Sequence, residues 1–507
     1  MFRSRAYLWL FPGLLASALA VSAQVEQPPE SAPGAAYTLH ANARSVLTDV
    51  TVTDTEGNPV PDLPQSAFHI FDREHEEQIA SFEEHTGASN ASPSTVPRAP
   101  HNFSNDFLSH PPPAFDVMVL DTATINIVDQ MYLFERLKHF VGTLPAGQLL
   151  AIYVHTGEYT IPLQDFSSDH ALLLSALHDA IPVLRQPGAE YYSELQGLQR
   201  LSEYLAPYPG RKNVIWFSGD PQQLFGFAQD PNLNPGALRL LYDHLDSQRI
   251  ALYPVDVRGP GLGDHIQMEQ DARATGGRAY FNTNALARVA EKIVRTGSDF
   301  YTITYSPQDS RPDSKWHAIK VKVDGGQYHL SYRSGYYDDG TSDLQAPARP
   351  RTLLRAGGEE VHLPANRTEP IIFHVDAEPS SSIAPPVTPV SDAVAPEAKK
   401  GARAYTFRYT VPAQDFNVQK IGFGQLLRIG AAIVVLNGYG RLVEHVTQDF
   451  TLTFNGNKLT ASPNAVVSFD QSINLSQGDD HVLVAVWDLQ TGRLGTIQMP
   501  LQVNLAR

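Results

Sequence analysis

The chain of 507 residues contains no cysteine, and this absence excludes several kinds of site at once. Disulfides, thiolate zinc sites, iron–sulfur clusters and a cysteine nucleophile all need a sulfur that the chain does not have. Basic residues are outnumbered, with 38 Lys and Arg against 54 Asp and Glu, so the formal net charge is −16. Because a protein that binds nucleic acid needs a basic face to neutralise phosphates, this balance argues against a nucleic-acid partner.

The chain does contain enough apolar sequence to build several cores. Apolar residues make up 42% of it, so the chain as a whole is not of the disordered class. At roughly 100–200 residues per domain, the length predicts about three domains. Without cysteine, these domains must hold together by packing alone.

The N-terminus has the composition of a secretory signal peptide. Arg3 and Arg5 supply positive charge, residues 6–20 are largely apolar, and Ala23 ends a small-residue cleavage site. Pro12 and Gly13 interrupt the apolar stretch, which is shorter than the ~20 residues that a membrane span needs. The sequence therefore predicts cleavage after Ala23 and a secreted or periplasmic protein without a membrane span.

Changes in hydrophobic period and two proline-rich stretches divide the rest of the chain. Strict alternation before residue 86, and again over 316–337, predicts antiparallel strands, and we expect the two regions to pair into one β-sandwich. Between them, strands alternate with helices, which is typical of a mostly parallel sheet covered on both faces. The predicted divisions are the signal peptide (1–23), an N-terminal β-domain (37–90), a linker (91–113), an α/β domain (114–308), the strands that complete the first sandwich (309–338) and a C-terminal β-sandwich (352–507) with a Pro-rich linker or insertion (376–401).

Two local patterns define the predicted α/β domain more closely. The helix after its first strand has an apolar stripe that begins with Ile127 and Met131, and this stripe is expected to face the core. Residues 301–305 are predicted to be the domain's last strand. In such a sheet, ligands bind outside the carboxyl ends of the strands. The polar residues just after the predicted strands are therefore the candidate binding face: Asp121, Thr124, Asn126, Ser218, Asp220 and Asp256.

Several longer motifs occur in a characteristic order along the first two thirds of the chain. They are residues 50–60 (VTVTDTEGNPV), 68–72 (FHIFD), 79–83 (IASFE), 209–219 (PGRKNVIWFSG), 253–259 (YPVDVRG), 274–284 (ATGGRAYFNTN) and 333–337 (RSGYY). On these motifs the chain resembles the von Willebrand factor A-related family (vWA) found in acidobacterial genomes, over about residues 38–337. The resemblance implies an exported protein with a Rossmann-like vWA domain, but it implies no particular activity.

The resemblance also locates a metal-ion-dependent adhesion site, which vWA domains build on an Asp-x-Ser-x-Ser motif after the first central strand. Here the Asp is Asp121, but Ala123 and Ile125 stand at the two serine positions and offer no oxygen to Mg²⁺. The later Asp of the site is expected at Gly219, and Asp220 follows one residue late. The motif is therefore degenerate, and Mg²⁺ binding at Asp121 stays open at this point.

Enzymatic chemistry is not favoured by any motif in the sequence. Ser218 follows a strand, but the glycines of a nucleophile elbow are replaced by Trp216 and Asp220. We therefore expect a non-enzymatic vWA protein that mediates protein–protein interaction or adhesion at the cell envelope. The alternative is an exported hydrolase or carbohydrate-binding protein that uses aromatic residues of the C-terminal domain, such as Tyr439 and Trp487.

Overall fold

The described part of the chain is mostly β-strand in several sheets, with six α-helices between residues 127 and 297. The computed structural model describes residues 45–87, 102–157, 160–180, 194–220, 235–261, 263, 265–308, 312–338, 351–356, 359–363, 370–380, 402–437, 442–476 and 478–503. Up to residue 256 the elements are β1 (Val46–Thr53), β2 (Phe68–Asp72), β3 (His75–Glu77), β4 (Ile79–His85), β5 (Asn102–Ser104), β6 (Ala114–Asp121), α1 (Ile127–Gly142), β7 (Leu150–His155), β8 (Thr160–Ser167), α2 (His170–Ala180), α3 (Glu194–Leu205), β9 (Arg211–Ser218), α4 (Pro235–Ser247) and β10 (Ile250–Asp256). They are followed by α5 (Ile266–Ala274), α6 (Leu286–Gly297), β11 (Phe300–Tyr305), β12 (Trp316–Val323), β13 (His329–Ser331), β14 (Gly335–Tyr337), β15 (Arg351–Ala356), β16 (Glu359–Leu363), β17 (His374–Pro379), β18 (Ala402–Pro412), β19 (Gln419–Ile421), β20 (Gly424–Leu436), β21 (Leu442–Asn455), β22 (Val466–Ser476), β23 (Gly478–Asp488) and β24 (Leu494–Val503).

The first four strands form two sheets together with strands that follow residue 299. One sheet has the order β13-β1-β11-β4 and the other β14-β12-β2-β3, with every pair antiparallel. In this pairing Val323 lies opposite Phe68, and Ser331 lies opposite Thr51. The two sheets share one hydrophobic core. Two chain segments more than 200 residues apart therefore complete one unit.

Strand β11 corrects the sequence prediction, which placed residues 301–305 in the α/β domain. It lies between β1 and β4, antiparallel to both, and Tyr301, Ile303 and Tyr305 pack into the core of the first two sheets. The physical reason is visible in its alternation with Thr302 and Thr304, which suits an antiparallel sheet better than a sheet buried on both faces. The α/β part of the chain ends with α6, and the predicted boundary at residue 308 is wrong for this strand.

The central sheet has the order β10-β9-β6-β7-β8, and only its β7–β8 pair is antiparallel. Successive side chains of β6 point to opposite faces, so that Met118 packs on α1, α2 and α6 while Val119 packs on α3 and α4. All eight residues of β6 are buried. From β6 the chain goes first to β7 on one side and later to β9 on the other. The loops after β6 and β9 therefore meet where the strand order reverses, the usual place for a binding site.

The C-terminal strands form a second pair of sheets around a core of their own. One has the order β22-β18-β17-β5, and the other β19-β20-β23-β24 with β21 paired to β20. Alternate residues of β18, including Tyr405, Phe407 and Tyr409, pack into the shared core. The short pair β15–β16 stands apart from both sheets in the strand pairing.

Both predicted linkers are shorter than the sequence suggested. Residues 102–104 of the first form β5, which pairs with β17, and Asn105 donates through its side chain to Ile371 O at 2.9 Å. The first linker was predicted from its polar and proline-rich composition, but its Phe103 and Leu108 pack against hydrophobic cores. Residues 376–379 of the second belong to β17. The remainders, 91–101 and 381–401, lie outside the described residues.

Several predictions concern segments beyond the described ranges. The predicted signal peptide and the predicted cleavage site after Ala23 lie there, as does Tyr439. No α-helix within the described ranges is both long and apolar enough to cross a bilayer. Tyr280 forms a single parallel bridge with Val255 outside the named strands.

Candidate functional site

Asp121, Thr124 and Ser218 form one hydrogen-bonded cluster where the strand order reverses. Thr124 Oγ1 donates to Asp121 Oδ2 at 2.6 Å, and Ser218 Oγ donates to the same oxygen at 3.1 Å. The amide of Ala123 donates to Asp121 Oδ1 at 3.2 Å. Asp121 and Ser218 are fully buried. The cluster therefore ties the loop after β6 to the loop after β9 beneath the surface.

Gly219 allows these two loops to approach so closely. Its amide donates to Thr124 Oγ1 at 3.0 Å, and a Cβ atom at this position would lie 2.5 Å from the carbonyl oxygen of Thr124. Any larger residue would have to push the backbone of one loop away. The amide of Asp220 continues the connection by donating to Ser218 Oγ at 3.1 Å.

Asn126 and Asp256 are occupied in other ways. Asn126 is the N-cap of α1, since its Oδ1 accepts from the amides of Val128 and Asp129, both at 3.1 Å. Asp256 accepts from the guanidinium of Arg258 at 2.8 and 3.0 Å, and its Oδ2 lies 3.0 Å from His265 Nε2. The residues of the predicted binding face therefore hold the loops in place more than they offer free groups to a ligand.

The charge at Asp256 is balanced within its own loop. Burial of Asp256 opposes its ionisation, but the hydrogen bonds from Arg258 outweigh this effect and hold its pKa below the ordinary value. The same contact raises the pKa of Arg258, and the negative charge of Asp220 adds to the effect. The positively charged side chain of Arg258 therefore lies beside the predicted acidic binding face. The sequence prediction missed this role, although Arg258 lies only two residues after Asp256.

The donor set at Asp121 does not fit the Mg²⁺ site that the vWA resemblance implies. Ala123 and Ile125 offer no oxygen at the two serine positions, and Ile125 is buried in the hydrophobic core. The hydroxyls of Thr124 and Ser218 already donate their protons to Asp121 Oδ2. A hard cation that prefers about six oxygen ligands would find one carboxylate already engaged by hydrogen bonds.

A first prediction separates a structural role of Asp121 from a metal-binding one. Replacing Asp121 with alanine leaves the hydroxyls of Thr124 and Ser218 without their buried acceptor, so the free energy of unfolding should fall by about 1–3 kcal/mol. Asp121→Asn, which keeps one acceptor oxygen, should cost less. Addition of millimolar Mg²⁺ should leave the melting temperature of both variants and of the parent protein unchanged. A rise in the parent alone would instead establish a cation site.

Ser218 is held in a way that does not resemble an activated nucleophile. Its hydroxyl donates to the carboxylate of Asp121, and the nearby Thr124 hydroxyl lies 3.0 Å away. Activation of a serine needs a base that accepts its proton and can pass it on, most often an imidazole. His155 is buried on the neighbouring strand β7, opposite Asp121, and its Nδ1 lies 3.3 Å from Thr160 Oγ1. In the described part of the chain, no hydrogen bond joins His155 to Ser218.

A different group of side chains has the spacing of a metal site. Within the described ranges, Asp313, His317 and Asp338 offer ligand atoms that all lie within 4.8 Å of one another. Asp72 Oδ1 lies 2.9 Å from His317 Nδ1 and orients the imidazole from the other side. Arg73 contacts His317 Nε2 and pairs with Asp313 at 3.2 Å. A guanidinium therefore already supplies positive charge to this cluster.

The start of α1 exposes apolar side chains that the sequence prediction assigned to the core. Ile127 is 51% exposed, Val128 71% and Met131 63%. The buried face of the helix is carried by Leu133, Phe134, Leu137, Phe140 and Val141. The prediction that Ile127 and Met131 face the core is wrong, because later positions of the helix carry its contacts with the core. Ile266, at the start of α5, is likewise 62% exposed.

The C-terminal aromatic residue proposed for carbohydrate stacking is buried. Trp487 is 7% exposed and packs in a small cluster with Leu436, Leu483 and Leu494. Its indole lies so close to Gly430 that a Cβ atom there would be 2.1 Å from the ring. Stacking on a sugar needs an open ring face, which this arrangement does not offer.

Comparison with known proteins does not show the family of this chain. A scan against protein-family models gives no match, and a search of curated proteins gives none either. Solved structures that match include proximal thread matrix protein 1 of the mussel byssus, with 13% identity and a TM-score of 0.28. That match covers 39% of this chain and 49% of the byssus protein, so it spans about half of that protein's length.

Two further matches are structures named as vWA proteins. The SpRpn10 VWA domain has 12% identity and a TM-score of 0.26, and the match covers 36% of this chain and 96% of that domain. The ArnB paralog VWA2 from Sulfolobus acidocaldarius has 10% identity and a TM-score of 0.24, covering 54% of this chain and 77% of that one. TM-scores this low carry no argument, and the fold is defined by the strand order of the chain itself.

Proposed function

We propose that the chain is an exported protein-interaction protein whose central α/β domain is vWA-like and inserted into a β-sandwich. Its binding surface is the strand-end face, and the first turns of α1 are the main contact. The observation that carries the proposal is the exposure of Ile127, Val128 and Met131 at that face. Contiguous exposed apolar side chains of this kind are typical of interaction sites.

The buried groups under this surface support the proposal because they make it rigid. Asn126 caps α1, and the Asp121 cluster fixes the loop from which the helix begins. Gln130, buried beside these loops, donates to Ile125 O at 2.7 Å. A surface that is already ordered loses little conformational entropy when a partner binds.

We also propose that binding is independent of metal and that the protein is not an enzyme. The engaged carboxylate of Asp121 and the hydrogen bond from Ser218 to it favour a structural role for both residues. A secreted or periplasmic location, after cleavage behind Ala23, is part of the same proposal and rests on the composition of residues 1–23.

Site-specific cross-linking in the living source organism can test this function. A photoreactive amino acid at Met131 should give a discrete cross-linked species with one other protein. The matched control is the same amino acid at Phe423, which is fully exposed in the C-terminal part of the chain. When the probe at Met131 is combined with Val128→Asp, the yield of the cross-linked species should fall at least about tenfold. The proposal fails if both positions cross-link alike, or if neither does.

A further inference from the structure

A groove of about 630 Å³ lies between α1 and the start of α6, next to the exposed apolar turn. Tyr132, Arg136 and His139 line it from α1. Asn284 and Arg288 line it from the other side. Tyr132 Oη donates to Asn284 O at 3.1 Å and so joins the two walls. Val128, Tyr132 and Arg136 follow one another at four-residue spacing, so the groove continues the apolar surface along one helix face.

The groove is positively charged although the chain as a whole is acidic, with 54 Asp and Glu against 38 Lys and Arg. Arg136 and Arg288 are both exposed, and neither forms an ion pair with a carboxylate of the described residues. The guanidinium of Arg136 lies 4.8 Å from the centre of the Tyr132 ring. That contact positions the side chain and leaves its hydrogen-bond donors for a ligand.

The N-terminus of α6 adds a second source of positive potential to the same groove. The helix is 12 residues long, and Ala285 at its N-cap gives no side-chain acceptor to the first turn. Helix N-termini carry partial positive charge and bind carboxylates and other anions. Thr283 Oγ1 accepts from the amide of Ala285 at 3.0 Å, and Ala285, Leu286 and Ala287 at this N-terminus line the groove.

We propose that this groove binds an acidic segment of the partner protein, an inference that rests on the proposed function. Carboxylates of the segment pair with Arg136 and Arg288, and an apolar residue beside them packs on Met131 and Val128. Complementary charge of this kind sets the orientation and the rate of association, while the apolar contact supplies affinity.

Selection from a random dodecapeptide display library on the full chain provides a defined probe. Selected peptides should contain at least about twice the Asp and Glu of the unselected library. For the best peptide, Arg136→Ala and Arg288→Ala should each weaken binding about tenfold, and replacing its acidic residues with amides should do the same. Arg273→Ala is the matched control, since Arg273 is an exposed arginine on α5 paired with Glu269. Inorganic phosphate at equal ionic strength should not displace the peptide.

The outcomes separate this inference from the function on which it rests. Selected peptides without acidic residues, or acidic peptides that bind the Arg136 and Arg288 variants as well as the parent, would overturn the acidic-segment inference. Displacement by phosphate at equal ionic strength would also overturn it, by showing a simple anion site. If the cross-link from Met131 persists in Arg136→Glu, protein binding stands and the acidic segment is wrong. If Met131 gives no cross-link, the proposed function fails whatever the peptides show.

Discussion

Replacing Asp49 with alanine is expected to lower the free energy of unfolding by about 3–5 kcal/mol, because it leaves buried positive charge without a partner. Asp49 lies in β1 and is almost fully buried. Arg249 donates to its two carboxylate oxygens at 2.6 and 3.1 Å, and Thr302 donates at 2.8 Å. Arg211, itself buried, lies 3.9 Å away. These contacts join the first pair of sheets to the central sheet.

The pH dependence of this network follows from the direction of its pKa shift. Burial raises the pKa of Asp49, but Arg249 and Arg211 outweigh burial, so the pKa in the folded protein lies below the ordinary value. The unfolded chain then binds the proton more readily than the folded one. The stabilisation is complete above the unfolded pKa of about 4 and is lost as the pH falls through the folded pKa.

Chemical denaturation at pH 7 and at pH 3 measures both effects. Asp49→Ala should be much less stable than the parent at pH 7, and the difference should narrow at pH 3. The matched control is Asp470→Ala, which removes an exposed ion pair with Arg408 and should cost less than about 1 kcal/mol. Equal losses in the two variants at pH 7 would show that the Asp49 network contributes no more than a surface pair.

The two types of strand could be distinguished in the sequence. A strand buried on one face alternates apolar and polar residues, whereas a strand buried on both faces has a continuous apolar run. Residues 117–120 of β6 and 214–217 of β9 are continuously apolar, and both strands lie in the centre of the parallel sheet. The period of β12 is two, and its burial alternates along the strand. Residues 301–305 also alternate, but adjacency to the last helix favoured the wrong sheet. The pairing of β11 with β1 depends on contacts between residues more than 250 positions apart, which no local pattern encodes.

The position of the candidate site could be predicted from the sequence, but whether its polar groups are free to bind a ligand could not. Topology placed Asp121 and Ser218 together, because neighbouring strands end at the same edge of the sheet. Whether a carboxylate there is open or engaged depends on the rotamers of Thr124 and Arg258, which the spacing of residues does not reveal. The exposure of Met131 was missed for a similar reason. An apolar stripe shows which side chains share one face of a helix, but it does not show how far along the helix the core covers that face.

Three buried carboxyl groups should make the protein less stable as the pH rises from about 5 to 8. Burial raises the pKa of Asp165 to about 6, of Asp116 to about 7 and of Asp271 to about 8. For each group, hydrogen bonds lower the pKa but do not offset the effect of burial. Gln267 and Tyr242, for example, donate to Asp271 at 2.7 and 3.2 Å. Between the unfolded pKa of about 4 and these values, the folded protein holds more protons than the unfolded chain. The free energy of unfolding therefore falls with rising pH across this window.

Asp271→Asn should remove the largest part of that slope, since an amide cannot ionise. Asn keeps an acceptor oxygen for Gln267 and Tyr242, so its stability near pH 5 should be close to that of the parent. Near pH 8.5 the variant should be more stable than the parent by about 2–4 kcal/mol, because the parent must ionise a group buried in α5. Denaturant unfolding at pH 5 and pH 8.5 tests this, with the exposed Asp470→Asn as control. Parallel stability profiles for the Asp271 variant and the parent would mean that Asp271 is already ionised in the folded protein at pH 5, with its charge compensated by neighbouring groups.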